Sequence, residues 1–192
     1  MFSRAEGVID YVHEQADFPD FFLNQRIIPH KFSQIGPVIA QGDLDGDGQK
    51  DILIGATNTL PTEAFLRKGP GYTRSEIAGL TGNKKVTEGG MAIFDVDGDG
   101  DQDVVAVAGG YENDNENDYK HLVYLNNNGT FTPLELPIPA FPSVVLKPFD
   151  YDHDGDLDLF IGSRVKKGMY PFANYSWLLY NVKGKYSVNP SS

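Results

Sequence analysis

The sequence contains no cysteine, and no apolar run approaches the ~20 residues needed to span a bilayer. The first absence removes a disulfide framework, a thiolate metal site and a cysteine nucleophile. The second removes a membrane-spanning helix, so direct membrane insertion is not expected. Positive charge is also scarce: 16 Lys and Arg stand against 27 Asp and Glu, for a net charge of −11. Phosphate recognition needs clustered basic side chains, which disfavours nucleic acid as a partner. The opening Met1-Phe2-Ser3-Arg4-Ala5-Glu6 lacks the apolar stretch of a secretory signal. Either the protein stays inside the cell, or the sequence is a piece from which a signal has been left out.

What is present points to a turn-rich β-protein. The 192 residues can bury a sizeable core, and 40% hydrophobic with 22% charged residues fits a folded domain. Twenty-one Gly, 12 Pro and 12% aromatics favour short strands and turns over a helical bundle. The acid is concentrated: 14 of the 27 acidic residues fall in three loops, Asp43–Asp51, Asp95–Asp103 and Asp150–Asp158. Three bound divalent cations would bring the net charge from −11 to −5.

The loops are parts of a longer repeat, with first aspartates 52 and then 55 residues apart. Each follows an apolar stretch: Gly36–Ala40, Gly90–Phe94 and Val144–Phe149. Each precedes a β-branched or aliphatic run: Ile52–Gly55, Val104–Val107 and Leu159–Gly162. A further strand and turn come next. They are clearest in Leu122–Leu125 before Asn126-Asn127-Asn128-Gly129 and in Trp177–Tyr180 before Asn181-Val182-Lys183-Gly184. Ala64–Leu66 before Lys68-Gly69-Pro70-Gly71 is a weaker copy. Such turns between apolar runs signal hairpins. The expected fold is therefore all-β, with three units of about four short antiparallel strands and the size of propeller blades. Their approximate spans are 35–85, 86–140 and 141–192. Residues 1–34 do not repeat and are read as a lead-in packed on the first unit. Within them Val8–Glu14 is expected as a short strand or a helical turn, and Asp17–Phe22 as an aromatic connector.

Each loop reads D-x-D-x-D-G-x-x-D. Carboxylates at positions 1, 3, 5 and 9, with the backbone carbonyl of position 7, supply hard oxygen ligands. Calcium takes about six to eight of these. Gly at position 6 permits the turn that wraps the chain around an ion. The candidate ligands are Asp43, Asp45, Asp47, Gln49 and Asp51; Asp95, Asp97, Asp99, Asp101 and Asp103; and Asp150, Asp152, Asp154, Asp156 and Asp158. An EF-hand needs a bidentate Glu at position 12 between helices. Ile54, Ala106 and Ile161 stand there instead, inside β-type runs. Magnesium suits the loops less, because it demands octahedral geometry and retains water. One acidic Gly-rich loop would read as a solvated turn. Three with the same Asp and Gly placement read as three calcium sites, since uncompensated carboxylates this close repel.

The segment Gly42-Asp43-Leu44-Asp45-Gly46-Asp47-Gly48-Gln49-Lys50-Asp51-Ile52-Leu53-Ile54-Gly55 and its two counterparts resemble the FG-GAP (VCBS) repeat family of integrin-α-like β-propellers. Leu125-Asn126-Asn127-Asn128-Gly129-Thr130-Phe131 is similar to the hairpin of such repeats. The segments 25–37 and 162–171 resemble large Bacteroidetes-type surface proteins with an ASPIC/UnbV-like region. The resemblance covers about residues 35–188. It implies calcium as a structural stabiliser in a cell-surface, secreted or periplasmic module that binds a protein or glycan ligand. Family propellers close with more blades than three. The unpaired faces imply either the remaining blades of a longer chain or a second copy of this one.

No catalytic motif stands out. His13, His30, His121 and His153 are scattered, and a non-enzymatic binding or adhesion module is expected. The alternative is part of a polysaccharide-processing enzyme whose propeller hosts the substrate site. The run from Glu112 to Asp118 reads as a solvated loop tip. Arg164, Lys166 and Lys167 near Tyr170, Phe172, Tyr175 and Trp177 are a candidate ligand surface, although blade packing claims at least half of those aromatics.

Overall fold

The computed structural model describes residues 8–18, 28–29, 31–82, 86–111 and 113–188. It contains three four-stranded antiparallel sheets, each built from consecutive strands in chain order. The first comprises β1 (Ile39–Gly42), β2 (Asp51–Ile54), β3 (Glu63–Lys68) and β4 (Gly71–Ser75). The second comprises β5 (Glu88–Phe94), β6 (Asp103–Ala108), β7 (Leu122–Asn127) and β8 (Thr130–Glu135). The third comprises β9 (Ser143–Phe149), β10 (Asp158–Ser163), β11 (Trp177–Val182) and β12 (Lys185–Ser187). Among the described residues the helical structure is a 3-10 turn, Glu116–Tyr119. No helix there is long and apolar enough to cross a membrane.

The sheets are propeller-type blades that do not close a ring. Their first strands run side by side, β5 touching both β1 and β9, and apolar faces fill the spaces between. Leu53 and Ala64 of the first sheet meet Val104, Ala106 and Tyr124 of the second. Val105, Val107 and Val123 on the opposite face of the second sheet meet Leu159, Ile161 and Leu179 of the third. This sandwiching explains why β6 is apolar without alternation: every residue of Asp103–Ala108 is buried, because both its faces are covered. The inner strands approach closely at Gly89. A Cβ there would lie 2.0 Å from the Ser143 carbonyl oxygen and collide with it.

Residues 8–18 carry neither helix nor strand, which corrects the expectation of a strand or helical turn over Val8–Glu14. Their backbone is held by side chains of the first sheet's loop instead. Thr57 and Thr59 hydroxyls both donate to the Glu14 carbonyl at 2.8 Å, and Asn58 bonds both the N–H and the carbonyl of Ala16. The Tyr11 ring stands edge-on to Phe65. Most of the connector Asp17–Phe22 lies outside the described residues.

Candidate metal centres

The three loops join the first and second strands of their sheets, β1–β2, β5–β6 and β9–β10, so all lie at one end of the molecule. Their backbone is wound by their own carboxylates. The position-1 oxygens of Asp43 accept from Gly46 N–H at 2.8 Å and Gly48 N–H at 2.7 Å. Asp95 repeats this with Gly98 at 2.7 Å and Gly100 at 3.1 Å. Positions 3 and 5 each accept the N–H two residues ahead: Asp45 from Asp47, Asp97 from Asp99 and Asp152 from Asp154, then Asp47 from Gln49, Asp99 from Asp101 and Asp154 from Asp156. Successive Asx turns aim the side chains inward and cost the loop no external partner.

Position 9 does two jobs. Asp51, Asp103 and Asp158 are fully buried. One oxygen of each accepts the N–H of position 2 (Leu44, Val96 and Tyr151), and the other accepts an N–H of the third strand (Arg67, Asn126 and Asn181), all at 2.7–2.8 Å. The residue read as closing the ion site therefore also staples the loop to the sheet. Burial pushes the Asp103 carboxyl up to about 6, with Asp97 and Asp99 adding to the push. Burial likewise raises Asp51, beside Asp45 and Asp43. Buried ionised carboxylates with like-charged neighbours favour a cation.

The oxygens that converge differ between loops. Asp43, Asp45 and Asp51 each bring one within 4.8 Å of the others, as do Asp150, Asp152 and Asp158; in the second loop Asp95, Asp97 and Asp99 do so. Asp150 Oδ1 is buried and accepts no hydrogen bond among the described residues, which leaves its lone pairs for a cation or a water. At position 7 the side chains of Asp101 and Asp156 reach the hairpins. They accept from Asn128 and Lys183 N–H, each at 2.9 Å.

Several participants escaped the motif. Lys68, at the β3–β4 turn, donates to Asp45 at 2.8 Å and lies 3.6 Å from Asp47, placing an ammonium against the first loop. Contact with Asp45 raises the Lys68 ammonium's pKa. Gln102 at position 8 of the second loop accepts the Asp43 N–H at 2.8 Å, tying neighbouring loops together. Asn126 and Asn181 each follow their position-9 aspartate by 23 residues, a repeated spacing that marks them in the sequence. His153 occupies position 4 with φ of 65°, where Gly46 and Gly98 stand in the other loops at 74° and 78°.

The FG-GAP-like repeat model matches the chain over residues 43–106 and again over 95–161, each match running from one aspartate loop through the strand after the next. Together the matches cover more than half of the chain. No curated protein matches it.

Proposed function

This chain belongs to the FG-GAP-like repeat family, and from that premise we propose that it is a calcium-clipped, propeller-type recognition module. Three loops would each hold one calcium ion, and the blades would present a surface to a protein or glycan ligand outside the cytoplasm. The observation that carries the calcium reading is Asp150 Oδ1, buried beside Asp152 and Asp158 and without a hydrogen-bond partner among the described residues. All the donors are hard oxygens, as calcium requires. A bound calcium ion would supply only charge and coordination. It would neutralise carboxylates that otherwise repel, and so hold each first–second strand connection in one conformation.

The proposed role is structural support for recognition rather than turnover. Most of the loop carboxylates are committed to backbone N–H groups of the loops and of the third strands. Extracellular modules of this chemistry bind calcium at ~10⁻⁴–10⁻³ M, a level that supports placement at a cell surface, in the periplasm or in a secreted protein. Partners would include a protein or glycan ligand and further blades, from a longer chain or a second copy.

Thermal unfolding tests the cation reading directly. An ion bound by the folded state alone stabilises it by linkage, about 2.7 kcal/mol per site at a hundredfold excess over Kd. EDTA should therefore lower the melting temperature, and added calcium should restore it. Coincident melting curves with and without EDTA would reject metal-filled loops.

A further inference from the structure

The end of the molecule opposite the aspartate loops carries a different kind of site. Antiparallel connections alternate ends, so the β6–β7, β8–β9 and β10–β11 segments gather there. Between the second and third sheets they enclose a cavity of about 210 Å3. That is below the ~300–1,000 Å3 of drug-sized sites and suits a single ring-sized group. Tyr119, Phe141, Tyr175 and Trp177 line it together with Lys166 and Lys167.

The walls are preorganised. Tyr119 and Phe141 are buried, whereas Tyr175 is 79% exposed at the rim, an apolar ring face offered to solvent. The lysines sit on a braced turn: Lys166 N–H donates to the Phe172 carbonyl at 2.8 Å, and Met169 N–H to the Lys166 carbonyl at 3.0 Å. The Tyr111 hydroxyl pins the same turn from the β6–β7 connection. It donates to the Lys166 carbonyl at 3.2 Å and accepts from Gly168 N–H at 2.6 Å. Lys167 Nζ lies 5.4 Å over the Tyr119 ring and 3.5 Å from Asp114. Lys166 makes no ion pair among the described residues. On a chain of net charge −11, this cavity lining carries two ammonium groups, Lys166 and Lys167, against one carboxylate, Glu116, beside the exposed Tyr175 ring.

We propose that this cavity binds a carboxylate-bearing sugar unit of an acidic glycan. Aromatic faces stack on the apolar C–H face of a pyranose, and the lysines pair with its carboxylate. Asn174 and Glu116 line the same cavity and bring the side-chain chemistry that bonds ring hydroxyls. An acidic peptide fits less well. Extended peptides are gripped through main-chain groups of a strand edge, and here loops line the cavity, with Pro139 and Pro142 contributing no N–H.

The proposal rests on the recognition-module reading but not on the cation loops, so the EDTA melting experiment succeeds or fails independently of it. Trp177 is the single tryptophan of the chain and reports on the cavity directly. Its fluorescence is followed while the intact protein, at fixed free calcium, is titrated with a uronic-acid trisaccharide, the matching neutral trisaccharide or tri-glutamate. The uronate should give a saturable change, with the neutral sugar and the peptide about tenfold weaker or more. Lys166→Gln with Lys167→Gln should reduce the uronate to the neutral level. Tyr175→Ala, at an exposed position that does not threaten folding, should weaken both sugars. No saturable response, equal binding of acidic and neutral sugars, tri-glutamate binding as tightly, or a response indifferent to these substitutions would each overturn it.

Discussion

At the residue scale, the aspartates of one loop are not equivalent. Asp97 is half-buried at position 3 and accepts one local N–H, whereas buried Asp103 accepts Val96 and Asn126 N–H groups from two separate parts of the chain. Each buried donor left without an acceptor costs about 1–3 kcal/mol. Asp103→Ala should therefore lower unfolding free energy by roughly 2–5 kcal/mol in urea even without metal, and Asp97→Ala should remove one calcium equivalent in calorimetry with little effect on the metal-free protein. Equal destabilisation by both would contradict the division of labour. His153 gives a second prediction. A left-handed backbone costs a non-glycine residue about 1–2 kcal/mol, and φ at His153 is 65°. Because glycine also loses more chain entropy on folding, His153→Gly should stabilise the protein by only up to about 1 kcal/mol in chemical denaturation.

At the scale of the element, the three loops share a scaffold but not a charge environment. The first has four aspartates, Lys50 at position 8 and the Lys68 ammonium against Asp45 and Asp47. The second and third have five aspartates each, with Gln102 and Leu157 at position 8. A tethered ammonium competes with an added cation for the same oxygens. The first loop should be the weakest of the three, and Lys68→Ala should tighten it, visible as an added or stronger calcium-binding phase in calorimetry. Lys68 is more than half exposed, so removing its ion pairs should cost the metal-free fold only about 0.2–1 kcal/mol.

At the scale of the whole molecule, one position recurs in all three sheets and meets two different fates. Leu53 and Val105 each stand two residues after a position-9 aspartate and are fully buried by the next sheet; their counterpart Phe160 is 38% exposed. Around it on the same face lie Val145, Phe149 and Val182, also exposed, with Lys147 directly opposite it. Apolar patches of this kind mark association surfaces. The isolated chain should self-associate as concentration rises in sedimentation analysis, and Phe160→Glu should return it to a monomer. A concentration-independent monomer for both would mean that the face tolerates water.

Much of this was legible beforehand because repetition multiplies a weak signal. The three loops, their Gly turns and the β-type runs that follow them recur at near-constant spacing, and local backbone chemistry obliges such segments to turn and then extend. The Asx turns within Asp43–Asp51 follow from sequence alone, since Asp43, Asp45 and Asp47 accept N–H groups only a few residues ahead. Contacts across the chain were not legible. The amino-acid pattern does not say that Lys68 would fold back on Asp45, that Gln102 would reach Asp43, or that Asp103 would hold Asn126. Nor does it say that Lys166 and Trp177 would close a cavity with Tyr119 of the 3-10 turn between β6 and β7. Those pairings depend on strand register and on how the sheets stack. Only the tertiary structure brings together groups that attract one another but lie far apart along the chain.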